Sequence, residues 1–265
     1  MTTADGRGVP ALTAEQMREV DRIMIEDLHI ELVQMMENAG RNLADLALRR
    51  FRPDTVTVLV GPGGNGGGGL AAARHLANRG THVMIALSHA PGESRAVTGH
   101  QLDIVTRMGI AVTSDPQPAA LVVDALIGYS LHGDPTGRAA ELINWANSQP
   151  SAVLALDNPS GFDANTGRAA MPCVRATATL TLALPKIGLL DAEETGTLFV
   201  ADISVPPDVY DRLGVTVPAL FGDDTTIELA PALPGLDPST RPRSGSNSAR
   251  DEHSKRDARR RRWPA

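Results

Sequence analysis

From residue 55 onward, short aliphatic runs alternate with stretches of helical period, and few folds accommodate that rhythm. Thr55–Val60, His82–Leu87, Leu121–Ile127 and Ala152–Leu156 read as strands, each apolar on both faces. Between them, Leu70–Arg79, Thr98–Met108 and Arg138–Asn147 carry helical spacing. Strands without a polar face must be covered on both sides, and strands separated by helices pair in parallel. The pattern predicts a three-layer α/β/α, Rossmann-like sandwich with a mostly parallel central sheet. Thr177–Leu184 and Thr197–Ile203 are expected to close it as edge or mixed strands.

Two helices precede the first strand. Thr13-Ala14-Glu15-Gln16 has the form of a capping box, and Met17, Val20, Met24 and Leu28 follow at helical spacing. After a break near His29, Leu32, Met36, Ala39, Leu43 and Leu46 form a second stripe. Residues 1–11 lack any period and are expected to be loose. The ordered domain is expected over 12–230. From Pro231 the sequence turns to Pro, Ser, Arg and Asp, which predicts a disordered basic tail over 231–265.

Only 3% of the 265 residues are aromatic, so the core must rest on aliphatic side chains and methionine. Charge is unevenly spread: residues 241–265 hold nine basic and three acidic side chains, while 1–240 hold 16 and 28. Nucleic acid is therefore a poor partner for the acidic body, and only the tail offers such a contact. The run Arg259–Arg262 is more often a solvated segment than a docking site. Cys173 is the single cysteine, so no internal disulfide exists. No apolar run approaches the roughly 18 residues of a membrane span, and the start lacks a signal-peptide pattern. The expected location is the cytoplasm.

Chemistry concentrates where strands end. Residues 61–69 hold seven glycines after a strand and before a helix. Such a turn lets the backbone approach a ligand and offers free amides beside a helix N-terminus, a setting suited to phosphate. The run contains G-x-G-x-x-G at Gly61, Gly63 and Gly66. The acidic residue that usually holds a ribose is absent, because the second strand runs out at Ser88-His89-Ala90. That weakens a hydride-transfer reading. Asp124 caps the strand in Asp124-Ala125-Leu126-Ile127-Gly128, and Asp157-Asn158-Pro159-Ser160-Gly161 follows another. Lys186 lies in Leu184-Pro185-Lys186-Ile187-Gly188. Polar loops at the ends of several strands point to one shared crevice. His75, His89 and His132 lack metal-ligand spacing, and no zinc-hydrolase, nucleophile-elbow or P-loop pattern occurs.

These blocks together resemble the NAD(P)HX epimerase family, the YjeF amino-terminal domain, over roughly residues 12–222. The opening resembles Ala14-Glu15-Gln16-Met17, Asp21 and Met36-Glu37-Asn38-Ala39-Gly40. The glycine run resembles the family's G-x-N-N-G-G-D-G-L signature, and the Asp124, Asp157, Lys186 and Ala201-Asp202-Ile203 blocks follow in the family's order. The resemblance implies interconversion of the R and S epimers of hydrated NADH or NADPH, with one potassium ion per subunit. By motif, Asn65, Asp124 and Ser160 are the ion's ligands. Gly64, Asn65, Gly66, Gly67 and Gly68, the segment Gly128, Tyr129, Ser130, Leu131, His132, Gly133 and Asp134, and Asp157 hold the substrate. Asp157 is assigned as general acid/base with Lys186 assisting, since hydroxide leaves a ring carbon poorly and water leaves well. Asp157→Ala is expected to abolish turnover with the fold intact.

Two substitutions depart from the pattern. Gly64 and Gly68 replace an Asn and an Asp, and Tyr129-Ser130 replaces Thr-Gly. Gly68 and Tyr129 are expected to face the ligand. A second reading is therefore a non-catalytic nucleotide-binding or scaffold protein that keeps the fold. Relatives commonly form dimers, with the two amino-terminal helices as a possible interface. The family's bacterial members often carry a second, dehydratase domain; here the basic tail follows instead, so no dehydratase activity is expected.

Overall fold

The computed structural model describes residues 1–3, 8–131, 133–190 and 192–230. His132 and the whole of the 231–265 tail lie outside these residues, as do residues 4–7 of the opening segment.

Among the described residues, nine strands form one sheet in the order β1-β9-β8-β7-β6-β5-β2-β3-β4. The parallel part comprises β2 (Thr55–Val60), β3 (His82–Leu87), β4 (Ala111–Thr113), β5 (Leu121–Ala125), β6 (Ala152–Leu156), β7 (Ala178–Leu182) and β8 (Thr197–Ala201). β9 (Thr226–Ala230) and β1 (Thr2–Thr3) add antiparallel to β8. The sheet and its parallel character match the sequence reading, and β8 is the mixed strand it expects, parallel to β7 and antiparallel to β9. β7 lies inside the parallel array instead, and the edge is made by β9 and β1. β9 is short, with Leu229 its one buried position and Ile227 partly buried against the core, so it carries little strand signal.

The helices are α1 (Ala14–Arg22), α2 (Leu32–Arg50), α3 (Gly64–Ala77), α4 (Ala96–Arg107), α5 (Gly137–Ser148) and α6 (Pro207–Arg212). Leu43 and Leu46 of α2, Leu70 and Leu76 of α3, and Leu102 and Val105 of α4 cover one sheet face through Val56, Val58, Ile85 and Val123. Leu142, Ile143 and Ala146 of α5 cover the other face through Leu59, Val122 and Val153. That alternation explains why both faces of β2 and β5 are apolar. Thr13 and Gln16 close the expected capping box. α1 gives way to a π-helical segment at Ile23–Asp27, and the chain turns at His29, whose φ is +56°.

The opening segment is less loose than its composition suggests. Thr2 and Thr3 pair with Ala230 and Leu229, which satisfies the backbone of an otherwise open edge. Val9 and Leu12 are buried. The apolar faces of the two amino-terminal helices pack inside the chain's own core through Met17, Val20, Met24, Met35 and Ala39.

Candidate active site

The order β4-β3-β2-β5-β6 places the topological switch between β2 and β5, where successive connections depart in opposite directions. Ligands of open parallel sheets sit at the carboxyl ends of strands flanking such a point. The Gly61–Gly69 run follows β2, and Asp124 lies near the end of β5.

The glycine run is not a loop followed by a helix. Helix α3 starts at Gly64, so Gly66 to Gly69 form its first turns and are buried. A Cβ on Gly66 would collide with the Gly61 carbonyl, and one on Gly69 with the Ala125 side chain. A Cβ on Gly67 would lie 2.6 Å from Met36 Sδ, and one on Gly68 would lie 2.8 Å from Leu156 Cδ2. The glycines thus seat α3 hard against the sheet and α2. This corrects the expectation for Gly68, whose missing side chain points at Leu156 rather than at a ligand. Gly64 is exposed and Asn65 partly exposed, so this pair forms the accessible end of the helix. The buried Asn65 Nδ2 has no hydrogen-bond partner.

Asp124 is fully buried. Its Oδ1 accepts from Ser160 Oγ at 2.6 Å and from the Leu126 amide at 3.2 Å, and its Oδ2 accepts from the Ser160 amide at 2.7 Å. Ser160 Oγ in turn accepts from the Ile127 amide at 2.8 Å. Burial pushes the Asp124 carboxyl up to about 6, against the opposing pull of the Ser160 and Leu126 hydrogen bonds. Among the described residues no basic side chain pairs with it. A buried carboxylate without a countercharge, hydrogen-bonded to a hydroxyl, is an oxygen donor set suited to a hard cation.

Asp157 sits directly after β6 in the left-handed region, at φ +69°. A non-glycine residue held there is strained, commonly by about 1–3 kcal/mol, and surrounding contacts must hold it. The Asp157 amide donates to the Leu180 carbonyl at 2.7 Å. Its Oδ1 pairs with Lys186 Nζ, and its Oδ2 accepts from the Tyr129 amide at 2.9 Å. Lys186 is 0% exposed and Asp157 4%. The ammonium also donates to Thr181 Oγ1 at 3.3 Å and the Leu182 carbonyl at 3.2 Å, so its three protons are all directed. A Cβ on Gly128 would lie 2.9 Å from Asp157 Oδ2 and 3.5 Å from Asn65 Cβ, so the glycine lets these two residues converge.

Contacts thus gather these residues into two neighbouring groups, Asp124 with Ser160, and Asp157 with Lys186, Tyr129, Gly128 and Asn65. Ser130, Leu131 and Asp134 lie apart from the pair, lining an adjacent cleft of about 340 Å³ with His89, Thr136 and Arg138. Gly133 is a turn position at φ +70°, and His132 lies outside the described residues. Sequence reasoning gave Asp21 no role, yet it accepts a 2.6 Å hydrogen bond from Tyr129 Oη. It also missed Thr181, a strand threonine indistinguishable by pattern from its neighbours. The Asp157–Lys186 pairing adds a cost to Asp157→Ala: removing one member leaves a buried charge alone, so the fold should lose stability along with turnover.

The fold and these contacts define a Rossmann-like α/β protein with a buried acid–lysine pair at the carboxyl ends of the strands next to the sheet's switch point. A family profile described as YjeF-related protein N-terminus matches residues 32–188. An NAD(P)H-hydrate epimerase of Dehalogenimonas lykanthroporepellens is 47% identical over 81% of this chain and 90% of its own length. One of Rhodopirellula baltica is 35% identical over 78% of this chain and 89% of its own. A bifunctional NAD(P)H-hydrate repair enzyme of Moorella thermoacetica is 37% identical over 74% of this chain, but only 40% of that protein is covered. The crystal structure of the yeast protein ynu0 superposes with a TM-score of 0.74 at 21% identity, covering 83% of this chain and 100% of the other. The chain belongs to the YjeF-related amino-terminal family. Among the described residues, no helix is long and apolar enough to cross a membrane.

Proposed function

We propose that the protein is an NAD(P)H-hydrate epimerase, an isomerase that interconverts the R and S forms of hydrated NADH and NADPH. The carrying observation is the buried Asp157–Lys186 pair beyond the carboxyl ends of β6 and β7; relatives bearing that name at 47% and 35% identity support it. Asp157 passes a proton to the departing hydroxyl and takes one back from the returning water, with Lys186 orienting its carboxyl group. The hydroxyl leaves as water, and water returns to the opposite face of the ring, so no atom is gained or lost. The Gly64–Asn65 end of α3 and the segment Gly128–Asp134 hold the substrate, with the amides at the helix start facing its phosphates. The retained set of Asn65, Asp124, Asp157, Ser160 and Lys186 favours this reading over a scaffold. Cytoplasmic action on the nicotinamide cofactor pool is part of the same proposal.

Asn65, Asp124 and Ser160 are the proposed ligands of a potassium ion, which when bound supplies positive charge beside the substrate's anionic groups. The uncompensated Asp124 carboxylate supports that choice. An ion that binds only the folded state stabilises it by mass action. Potassium chloride should therefore raise the melting temperature above its value in equal choline chloride, and Asp124→Asn should remove the difference. Equal melting in both salts would count against the ion site.

The test of function is direct. Purified R-NADHX is incubated with protein and potassium, and the S epimer is followed by chromatography against the spontaneous rate. Acceleration lost in Lys186→Met is the expected result; folded protein without acceleration would remove the epimerase reading.

A further inference from the structure

The reacting pair proposed above has no open route to solvent. Lys186 is fully buried and Asp157 nearly so, although a ring substrate must come within hydrogen-bonding range of the carboxylate. Tyr129 is the partly exposed residue set against the pair. Its amide holds Asp157 Oδ2 and its ring centroid lies 5.6 Å from Lys186 Nζ. The ring also packs against the cluster of Met17, Val20 and Met24 under α1. Its phenol is fixed from the far end of the chain, by Asp21 on the last turn of α1, just before the π-helical segment.

We infer that Tyr129 is a gate over the Asp157–Lys186 pair, latched shut by the Tyr129–Asp21 hydrogen bond, and that the substrate's ring enters by displacing the tyrosine side chain. The inference rests on the epimerase reading for the identity of the ring, but not for the gate itself. One bond to a carboxylate holds the phenol. Among the described residues no basic side chain forms an ion pair with Asp21, although the Lys186 charge lies near enough to lower its carboxyl. Burial raises the Asp21 carboxyl above the ordinary aspartate range, while the Tyr129 hydrogen bond pulls it back. A hydrogen bond to a charged acceptor is among the stronger ones, and a binding-competent state populated only in part weakens apparent affinity in proportion. Tyr129 and Asp21 are positioning residues here, acting on access and not on the reacting carbon.

The chain contains just two lysines, Lys186 and Lys255, which makes access to the pair measurable without turnover. Full-length protein is treated briefly with acetic anhydride, and acetylation of each lysine is read by mass spectrometry. In wild type Lys186 should react slowly. Tyr129→Phe removes the latch without changing charge, and should raise the Lys186 rate about tenfold, the factor for one lost net hydrogen bond. The Lys255 rate and the melting temperature should stay where they are. Asp21→Asn is the second variant and should move Lys186 the same way. In steady-state epimerisation Tyr129→Phe should lower KM severalfold. A Lys186 rate unchanged in both variants would overturn the gate, as would a raised KM. If wild type does not turn over NADHX at all, the epimerase reading falls and the labelling rates alone decide the gate.

Discussion

Asp157 and Lys186 form a buried ion pair, and the consequences of altering either are opposite to those of altering both. Truncating Asp157 to Ala leaves an ammonium with 0% exposure and no countercharge, a change that commonly costs about 3–5 kcal/mol. Replacing both by apolar residues of similar size is often neutral. Asp157→Ala should thus lower the urea midpoint strongly and abolish turnover. Asp157→Leu with Lys186→Met should regain most of the midpoint and none of the turnover. A double variant as unstable as the single one would mean the pair is needed for folding beyond its charge. Asp21 gives a pH-dependent counterpart. Its folded carboxyl is raised by burial, whereas an unfolded aspartate titrates near ~4. The neutral form therefore favours the fold: its contribution is complete below about pH 4 and is lost as pH rises through the folded value. Asp21→Asn stays neutral throughout, so its stability should gain on wild type from pH 4 to 8. Urea midpoints across that range check the sign, and a flat difference would contradict it.

At the scale of elements, the glycine run shows where sequence reasoning stops. Its placement after a strand and before a helix is legible, because β-branched residues end at Val60 and alanines and leucines begin at Leu70. Its conformation is not. Glycine has poor helix propensity, so the run reads as a loop, yet α3 begins at Gly64 because tertiary packing overrides that cost. The driving contacts are with Gly61, Met36, Leu156 and Ala125, and none of these can be paired with a particular glycine from sequence. The contacts rank the glycines. Gly66→Ala collides with a backbone carbonyl that cannot rotate away, and overpacking of that kind costs ~1–3 kcal/mol or more. Gly68→Ala meets only the end of the Leu156 side chain, and the gain in helix propensity of about 1 kcal/mol partly offsets it. Melting temperatures should fall well below wild type for Gly66→Ala and remain near it for Gly68→Ala. The reverse order would show that α3 is not seated as described. The same limit applies to the site. Asp124, Asp157 and Lys186 stand at or near strand ends and can be picked out by position, while Asp21, on the last turn of α1 in a run of charged residues, is marked only by the family's opening pattern and not by any role.

Across the whole molecule, the crevice is assembled from segments more than 170 residues apart. The loop that carries Lys186 is held from the chain's beginning: the Leu12 amide donates to the Pro185 carbonyl at 2.9 Å, and the Ile187 amide to the Leu12 carbonyl at 3.0 Å. Two residues further in, the Ala14 amide donates to Asn165 Oδ1 at 2.6 Å. Strand and helix periods in the body dictate the parallel sheet, but a short aperiodic opening carries no trace of the contacts it will make. Leu12 is nonetheless fully buried against the α1 and β8 core. Leu12→Ala keeps both backbone hydrogen bonds and removes only packing, which for a buried leucine costs about 2–5 kcal/mol. Deleting residues 1–12 removes the packing and the hydrogen bonds together. The deletion should therefore be less stable to urea than Leu12→Ala, and acetylation of Lys186 should be faster in it than in either Leu12→Ala or wild type. If the two changes gave the same Lys186 rate, the opening segment would serve the core alone; a faster rate in the deletion ties the start of the chain to the geometry of the reacting pair.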